Sequence, residues 1–260
     1  MLKIYLVFCI LFLTVANVYG SYPVPTGCTP FGVRLALGRS FFSDSEQEQL
    51  SIWFNTRLEC PKSFVTVEKD SSIKKVYSST QKVSYNNYSS YVHRCSIDFL
   101  VRGDYYEYQA YGWTGNSSDP TVPFRSSNLK AHLIDDQQNI KMVVLADWGY
   151  LISKVGVYDR LDSAFDSLLK SSDQPDVVCL GGDYAYDLST SNGKNYENFL
   201  IMLSQISVAW PCIFITGNHE YYTKNDLMLF NSSFELYNLT NNNITSLNFG
   251  TFTLLLFDPN

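Results

Sequence analysis

Three short apolar runs, each closing on a polar cluster, constrain this chain more than any other feature. They are Lys141-Met-Val-Val-Leu-Ala146, Asp176-Val-Val-Cys-Leu180 and Cys212-Ile-Phe-Ile-Thr216. A continuous apolar run of strand length marks a strand covered on both faces. Two stretches of helical period lie between them. Leu161, Phe165, Leu168 and Leu169 form a stripe within Asp159–Lys170, and Phe199, Leu200, Leu203 and Ile206 form one within Asn195–Ile206. The order strand, helix, strand, helix, strand predicts a βαβαβ unit with a parallel sheet.

The polar clusters are Ala146-Asp147-Trp148-Gly149, Gly181-Gly182-Asp183-Tyr184-Ala185-Tyr186 and Gly217-Asn218-His219-Glu220. Asp147 and Asp183 are 36 residues apart, and Asp183 and Asn218 are 35 apart, one strand–helix–strand repeat each. All three therefore fall at the carboxyl edge of one sheet, where open α/β folds bind ligands. Two carboxylates, a carboxamide and the Tyr186 phenol are hard oxygen donors, suited to hard or borderline cations. A carboxylate can bridge two ions, and two ions can clamp an in-line phosphoryl displacement. A single Asp at a strand end is more often a turn former or helix cap. Three in succession, the last in Gly-Asn-His-Glu, favour a metal site.

Asp147-Trp148-Gly149, Gly182-Asp183-Tyr184-Ala185-Tyr186 and Gly217-Asn218-His219-Glu220 resemble the first three of five motifs of the calcineurin-like metallophosphoesterases. Tyr186, three residues after Asp183, resembles the purple acid phosphatases among them. One departure is Ala146, where that family usually has Gly. The resemblance implies an acid phosphatase that hydrolyses phosphate monoesters at a binuclear metal centre. It would make Asp147 and Tyr186 ligands of a first metal, ferric iron. Asp183 would bridge to a second, divalent metal (Fe, Zn or Mn), and Asn218 would bind that one. His219 would contact the phosphate or assist the leaving group. The β-rich segment containing Tyr91-Val92-His93-Arg94 and Tyr105-Tyr106-Glu107-Tyr108 resembles the fibronectin-like N-terminal domain of the larger, plant-type members.

That N-terminal region reads differently from the rest. From Pro30 to about residue 135 short runs alternate, as in Gln49–Asn55 with Leu50, Ile52 and Phe54 on one face, Ser63–Glu68, and Tyr105–Trp113. Turn-forming clusters separate them at β-sandwich spacing. The 15% aromatic content agrees, since flat rings pack well on sheets. The fold class predicted is a β-sandwich N-terminal domain (21–135) followed by an α/β metallophosphoesterase domain (139–260). The latter has a βαβαβ core and is incomplete at its C-terminus. Arg102-Gly103-Asp104 spells an adhesion tripeptide, but its expected role is a turn before the Tyr105 strand.

Met1-Leu2-Lys3 precedes an apolar run from Ile4 to Ala16, too short for the roughly 20 residues that span a bilayer. It fits a secretory signal cleaved after Gly20, with an uncleaved anchor as the alternative. A secreted or vesicular, lysosome-like protein follows as the expectation, without a membrane span. Asn87, Asn116, Asn231, Asn238 and Asn243 each begin a glycosylation sequon. Cys28, Cys60, Cys95, Cys179 and Cys212 remain after cleavage, enough for two bridges and one thiol left over. The net charge of −6 argues against nucleic-acid binding by general electrostatics.

The fourth and fifth family motifs carry three histidine ligands. This chain has three His in all: His93, His132 and His219. The first two fall in the β-rich and connecting segments, where a structural or exposed His is expected. After His219 come an expected loop from Asn231 to Thr245 and two strands, Ser246–Phe249 and Thr251–Phe257. The second metal would therefore be poorly held. Two readings stand: an acid phosphatase of the purple type, and a non-catalytic secreted glycoprotein retaining the fold and part of the site.

Overall fold

The computed structural model describes residues 3–6, 26–37, 47–101, 104–116, 124–125, 129–130, 141–146, 175–185, 187–234, 244–249 and 252–257. Asp147, Tyr186, His132, Asn238, Asn243 and the helix expected at Asp159–Lys170 lie outside them.

The strands are β1 (Lys3–Leu6), β2 (Phe31–Leu37), β3 (Gln47–Thr56), β4 (Phe64–Lys69), β5 (Ser72–Tyr77), β6 (Ser79–Tyr85) and β7 (Tyr88–Val101). They continue with β8 (Tyr105–Tyr111), β9 (Phe124–Arg125), β10 (Leu129–Lys130), β11 (Lys141–Leu145) and β12 (Val177–Leu180). Helix α1 (Lys194–Ser207), β13 (Cys212–Phe214), helix α2 (Lys224–Ser233) and the hairpin β14 (Ile244–Phe249)–β15 (Phe252–Phe257) complete the order.

An eight-stranded sheet runs β1-β11-β12-β13-β2-β3-β7-β6, and a five-stranded sheet pairs β10-β8-β4-β5, with β9 on β8. The β11, β12 and β13 strands are parallel, as a βαβαβ unit requires. β1, inside the segment read as a signal, lies parallel on the outer edge of β11. Removing residues 1–20 would uncover that edge.

The two sequence regions are joined through the sheet itself. β13 pairs with β2 in parallel at Cys212 and Ala36, and β2 continues antiparallel into β3, β7 and β6. One face of this sheet packs on the helices through Val178, Leu180, Phe199, Leu203 and Phe230. The other packs on the five-stranded sheet, where Met142, Val177, Cys179 and Ile213 meet Val65, Val67 and Tyr106. β12 is buried at every position because its alternating side chains enter both cores. Leu50, Ile52 and Phe54 share one face of β3, as their alternation predicts, and the same arrangement buries the other face too. Ser51, Trp53 and Asn55 are buried as fully as Leu50, Ile52 and Phe54, because β3 is a central strand with a packed layer on each side.

α1 matches its predicted stripe: Phe199, Leu200, Leu203 and Ile206 are all buried. α2 was not expected, and Asn231, placed by the sequence in a loop, lies in its last turn. Its start is a reciprocal cap. Thr223 Oγ1 accepts the Asp226 N–H at 3.1 Å, and the Thr223 hydroxyl donates to Asp226 Oδ2 at 2.5 Å.

One disulfide, Cys28–Cys60, ties the entry to β2 to the loop after β3. A second bridge among the remaining described cysteines does not form. Cys95 and Cys179 face the core between the sheets, whereas Cys212 faces the helices. Burial pushes the Cys95 and Cys179 thiols up to about 12, and that of Cys212 higher still, so they are inert packing groups. Closing a loop of 32 residues stabilises the fold by roughly 3–4 kcal/mol in the chain-entropy account. Denaturant unfolding with and without a reductant should show a loss of that size.

Asp104 settles part of the adhesion tripeptide. Its N–H donates to the Val101 carbonyl at 3.2 Å, a turn contact, and its carboxylate is ion-paired with Lys69. Arg102 and Gly103 lie outside the described residues.

Candidate metal centre

The parallel order of β11, β12 and β13 brings their carboxyl ends side by side. Leu145 O accepts the Gly181 N–H at 2.7 Å, and Leu180 O accepts the Ile215 N–H at 2.9 Å. Ala146 ends the first strand beside Gly181. A Cβ on residue 181 would stand 3.1 Å from that of Ala146, so the missing side chain at Gly181 makes room for Ala at 146.

The second and third clusters touch backbone to backbone. Gly182 has φ +88°, and a Cβ there would lie 2.3 Å from the Gly217 nitrogen. A Cβ on Gly217 would lie 2.3 Å from Asp183 Oδ1 and 2.6 Å from the Asp183 nitrogen. Only glycine at both positions permits this approach. Asp183 itself sits at φ +53°, in the left-handed region that Asp tolerates better than most residues. A non-glycine held there at a strand end is the kind of local strain that collects at functional sites.

Asp183 Oδ1 accepts the His219 backbone N–H at 3.0 Å. His219 Nδ1 lies 2.7 Å from Asp187 Oδ1. An ionised carboxylate only accepts, so the imidazole donates from Nδ1. The two side chains are about a quarter exposed, so the pair borders solvent. Asn218 is exposed beside them.

Glu220 points the other way. It is fully buried, and its carboxylate accepts the N–H groups of Asp183 at 2.8 Å, Gly217 at 2.8 Å and Tyr184 at 3.0 Å. Burial raises its pKa, and the three amide donors oppose that rise. Tyr184 is also structural. Its hydroxyl lies 2.6 Å from the Leu180 carbonyl and accepts the Ile215 N–H at 3.0 Å, while its ring stacks on Phe199 and Phe230. Burial raises its pKa well above the ordinary phenol value.

The structure places Asp183 against the His219 amide, next to Asn218 in the chain, and adds Asp187, which sequence reasoning missed. Its signal was weak: one more Asp following Tyr186, without a motif letter of its own. Asp183 and Asn218 fit a hard cation in donor type. Asp147 and Tyr186 lie outside the described residues, and among the described residues no group of three His, Cys, Asp or Glu side chains is arranged to hold an ion. His93 is not a ligand. It is buried in the sandwich, stacked on Phe54 and hydrogen-bonded to Thr56 and Thr80.

Residues 140–256 match the family model described as calcineurin-like phosphoesterase. That segment is under half of the chain, and the match is a similarity of its C-terminal part to that family. The fold, sandwich included, resembles that of a purple acid phosphatase. The structure of purple acid phosphatase PPD1 isolated from yellow lupin (Lupinus luteus) seeds superposes with a TM-score of 0.67 at 16% identity. The match covers 88% of this chain and 45% of the lupin chain, so this chain spans about half the length of that structure. No curated protein matches the sequence.

Proposed function

We propose that this chain is a phosphatase of the purple acid type, acting on phosphate monoesters at the edge formed by Asp147, Asp183, Tyr186, Asn218 and His219. The observation that carries the reading is the joined turn pair: Asp183 receives the His219 amide while Asp187 holds the His219 ring. Metal ions bound by Asp147, Asp183, Tyr186 and Asn218 would supply positive charge to activate water and to stabilise charge spreading on phosphorus. The chain's own residues do the rest. Asp187 orients the imidazole, and His219 would meet a phosphoryl or leaving-group oxygen. A proton delivered there is typically worth about 10²- to 10⁴-fold in rate. Exposed Asn218 stands where a ligand from solvent arrives.

With Asp147, Asp183, Tyr186 and Asn218 as the proposed ligands, turnover should fall well below the enzyme-typical ~10 per second. The test is hydrolysis of a generic aryl phosphate at mildly acidic pH, with and without added divalent metal. We expect slow, metal-dependent hydrolysis that drops by at least about 10²-fold in His219→Ala. Hydrolysis that ignores metal, or is unchanged in that variant, would refute the assignment. Metal uptake without any hydrolysis would favour the second reading, a non-catalytic glycoprotein. That reading draws on the lack of a three-residue acidic or histidine cluster among the described residues.

Secretion or vesicular delivery after loss of residues 1–20, with glycans on the sequons, belongs to the same proposal. Its support is that Asn87, Asn116 and Asn231 are all exposed. No helix among the described residues is long and apolar enough to cross a membrane.

A further inference from the structure

Two carboxylates near the site, Glu220 and Asp226, are fully buried. Both spend their acceptor capacity on the segment that carries Asp183 and Asp187. Glu220 Oε2 takes the N–H groups of Asp183 and Gly217, one from each turn, and Oε1 takes that of Tyr184. Asp226 Oδ1 takes the Ser189 N–H at 2.6 Å, at the far end of the same segment, while Oδ2 is held by the Thr223 hydroxyl. Segment 183–189 is therefore gripped at both ends by side chains from segment 220–226. Between the grips lie the two contacts that define the site, Asp183 to the His219 amide and Asp187 to the His219 ring.

We propose that Glu220 and Asp226 are positioning residues: a two-point bracket that sets Asp183, Asn218 and the His219–Asp187 pair in place before any ion binds. The functional part of this proposal rests on the phosphoesterase reading; the bracket itself does not. Asp183 adopts its left-handed conformation and Gly217 lies against it. Such an arrangement persists only where the surroundings over-determine it. Glu220 supplies that determination, because one oxygen bonds the amides on both sides of the close contact. A buried carboxylate offers about four acceptor sites, and three are used on main-chain donors, so little capacity is left for a cation.

The bracket works by acceptor geometry, which separates its two members. In Glu220→Gln only one oxygen remains, and the new NH₂ confronts an amide donor. That variant breaks the grip while keeping shape. In Asp226→Asn the remaining oxygen keeps the Ser189 amide, and Thr223 Oγ1 can turn to accept from the new NH₂. That variant keeps the grip although the charge is lost. Asp226→Ala removes it.

The experiment uses the full chain and two readouts, amide hydrogen exchange and Mn²⁺ affinity by calorimetry, with thermal unfolding as a control. Glu220→Gln should speed exchange at Asp183, Tyr184 and Gly217 and weaken Mn²⁺ binding by about 10- to 100-fold, the usual effect of losing an outer-shell partner. Asp226→Ala should speed exchange at Ser189 and weaken binding, whereas Asp226→Asn should stay near wild type in both. Unchanged protection in Glu220→Gln, or equal losses in Asp226→Asn and Asp226→Ala, would overturn the bracket. If Glu220→Gln does not fold, the two Asp226 variants decide. If the wild-type chain takes up no Mn²⁺, the phosphoesterase reading fails, and amide exchange still judges the bracket.

Discussion

Replacing Arg34 by Ala should lower the unfolding free energy by about 3–5 kcal/mol, because it strips several buried acceptors of their donor. Arg34 is buried on β2 and has no carboxylate partner among the described residues. Its guanidinium instead donates to the Ser233 carbonyl at 2.9 and 2.5 Å, to the Gly32 carbonyl at 2.6 Å and to Asn55 Oδ1 at 3.0 Å. Ser233 ends α2, so the charge also meets the negative end of a helix dipole. Asn55 passes the network on to Ser90 and Tyr196. One side chain thus joins β2, β3, β7, α1 and α2, the junction between the sandwich and the α/β unit. Burial pulls its pKa down to about 10, so it remains charged at neutral pH. Arg34→Ala strands at least three buried acceptors at about 1–3 kcal/mol each, offset by relief of the buried charge. Arg34→Lys should recover little, because a point charge cannot reproduce the fork. Denaturant unfolding measures both; a loss under about 1 kcal/mol in the Ala variant would contradict this view of the junction.

Acid should destabilise the fold through His93. Burial pushes its pKa down to about 3, against about 6.5 for an unperturbed imidazole. Between those values the unfolded chain binds a proton that the folded chain does not, so stability falls as pH falls through that window. The loss approaches about 2 kcal/mol at pH 5 and about 4–5 kcal/mol near pH 3. Thr56 and Thr80 hydroxyls hold the neutral ring, and no carboxylate is among its hydrogen-bond partners. Glu197 and Glu220 act in the opposite sense. Burial raises both, so the folded state binds their protons first, and they offset part of the loss in the carboxylate range. Melting temperatures from pH 7 to pH 4 should decline steeply in the wild type and less steeply in His93→Gln. Parallel declines would remove His93 from the account.

The strands and helix that position the site were legible because their burial is written in local periodicity. Val177–Leu180 reads as a strand covered twice, and Phe199, Leu200, Leu203 and Ile206 read as a helix face. The sharing of one sheet by both regions was not legible, since it depends on a single parallel contact between β13 and β2, far apart in sequence. α2 was hidden by its weak apolar stripe and by the sequon at Asn231, although Thr223 and Asp226 carry a cap signal. At the site, Asp183, Asn218 and His219 were visible from motif spacing. Glu220 was visible only as a letter of the motif. That it faces inward to bind three amides is a property of two turns meeting, which no spacing encodes. Asp187 escaped for the same reason, because its partner lies 32 residues away.

The central claim is that the edge carrying Asp183 and Asn218 holds a hard cation. Metal content and affinity of the purified chain, measured by calorimetry with Mn²⁺ on the wild type and on Asp183→Asn, test it most directly. The account predicts a single, weakly held ion per chain, lost in Asp183→Asn while the melting temperature stays close to wild type. An ion retained equally by Asp183→Asn, or two tightly held ions in the wild type, would contradict it.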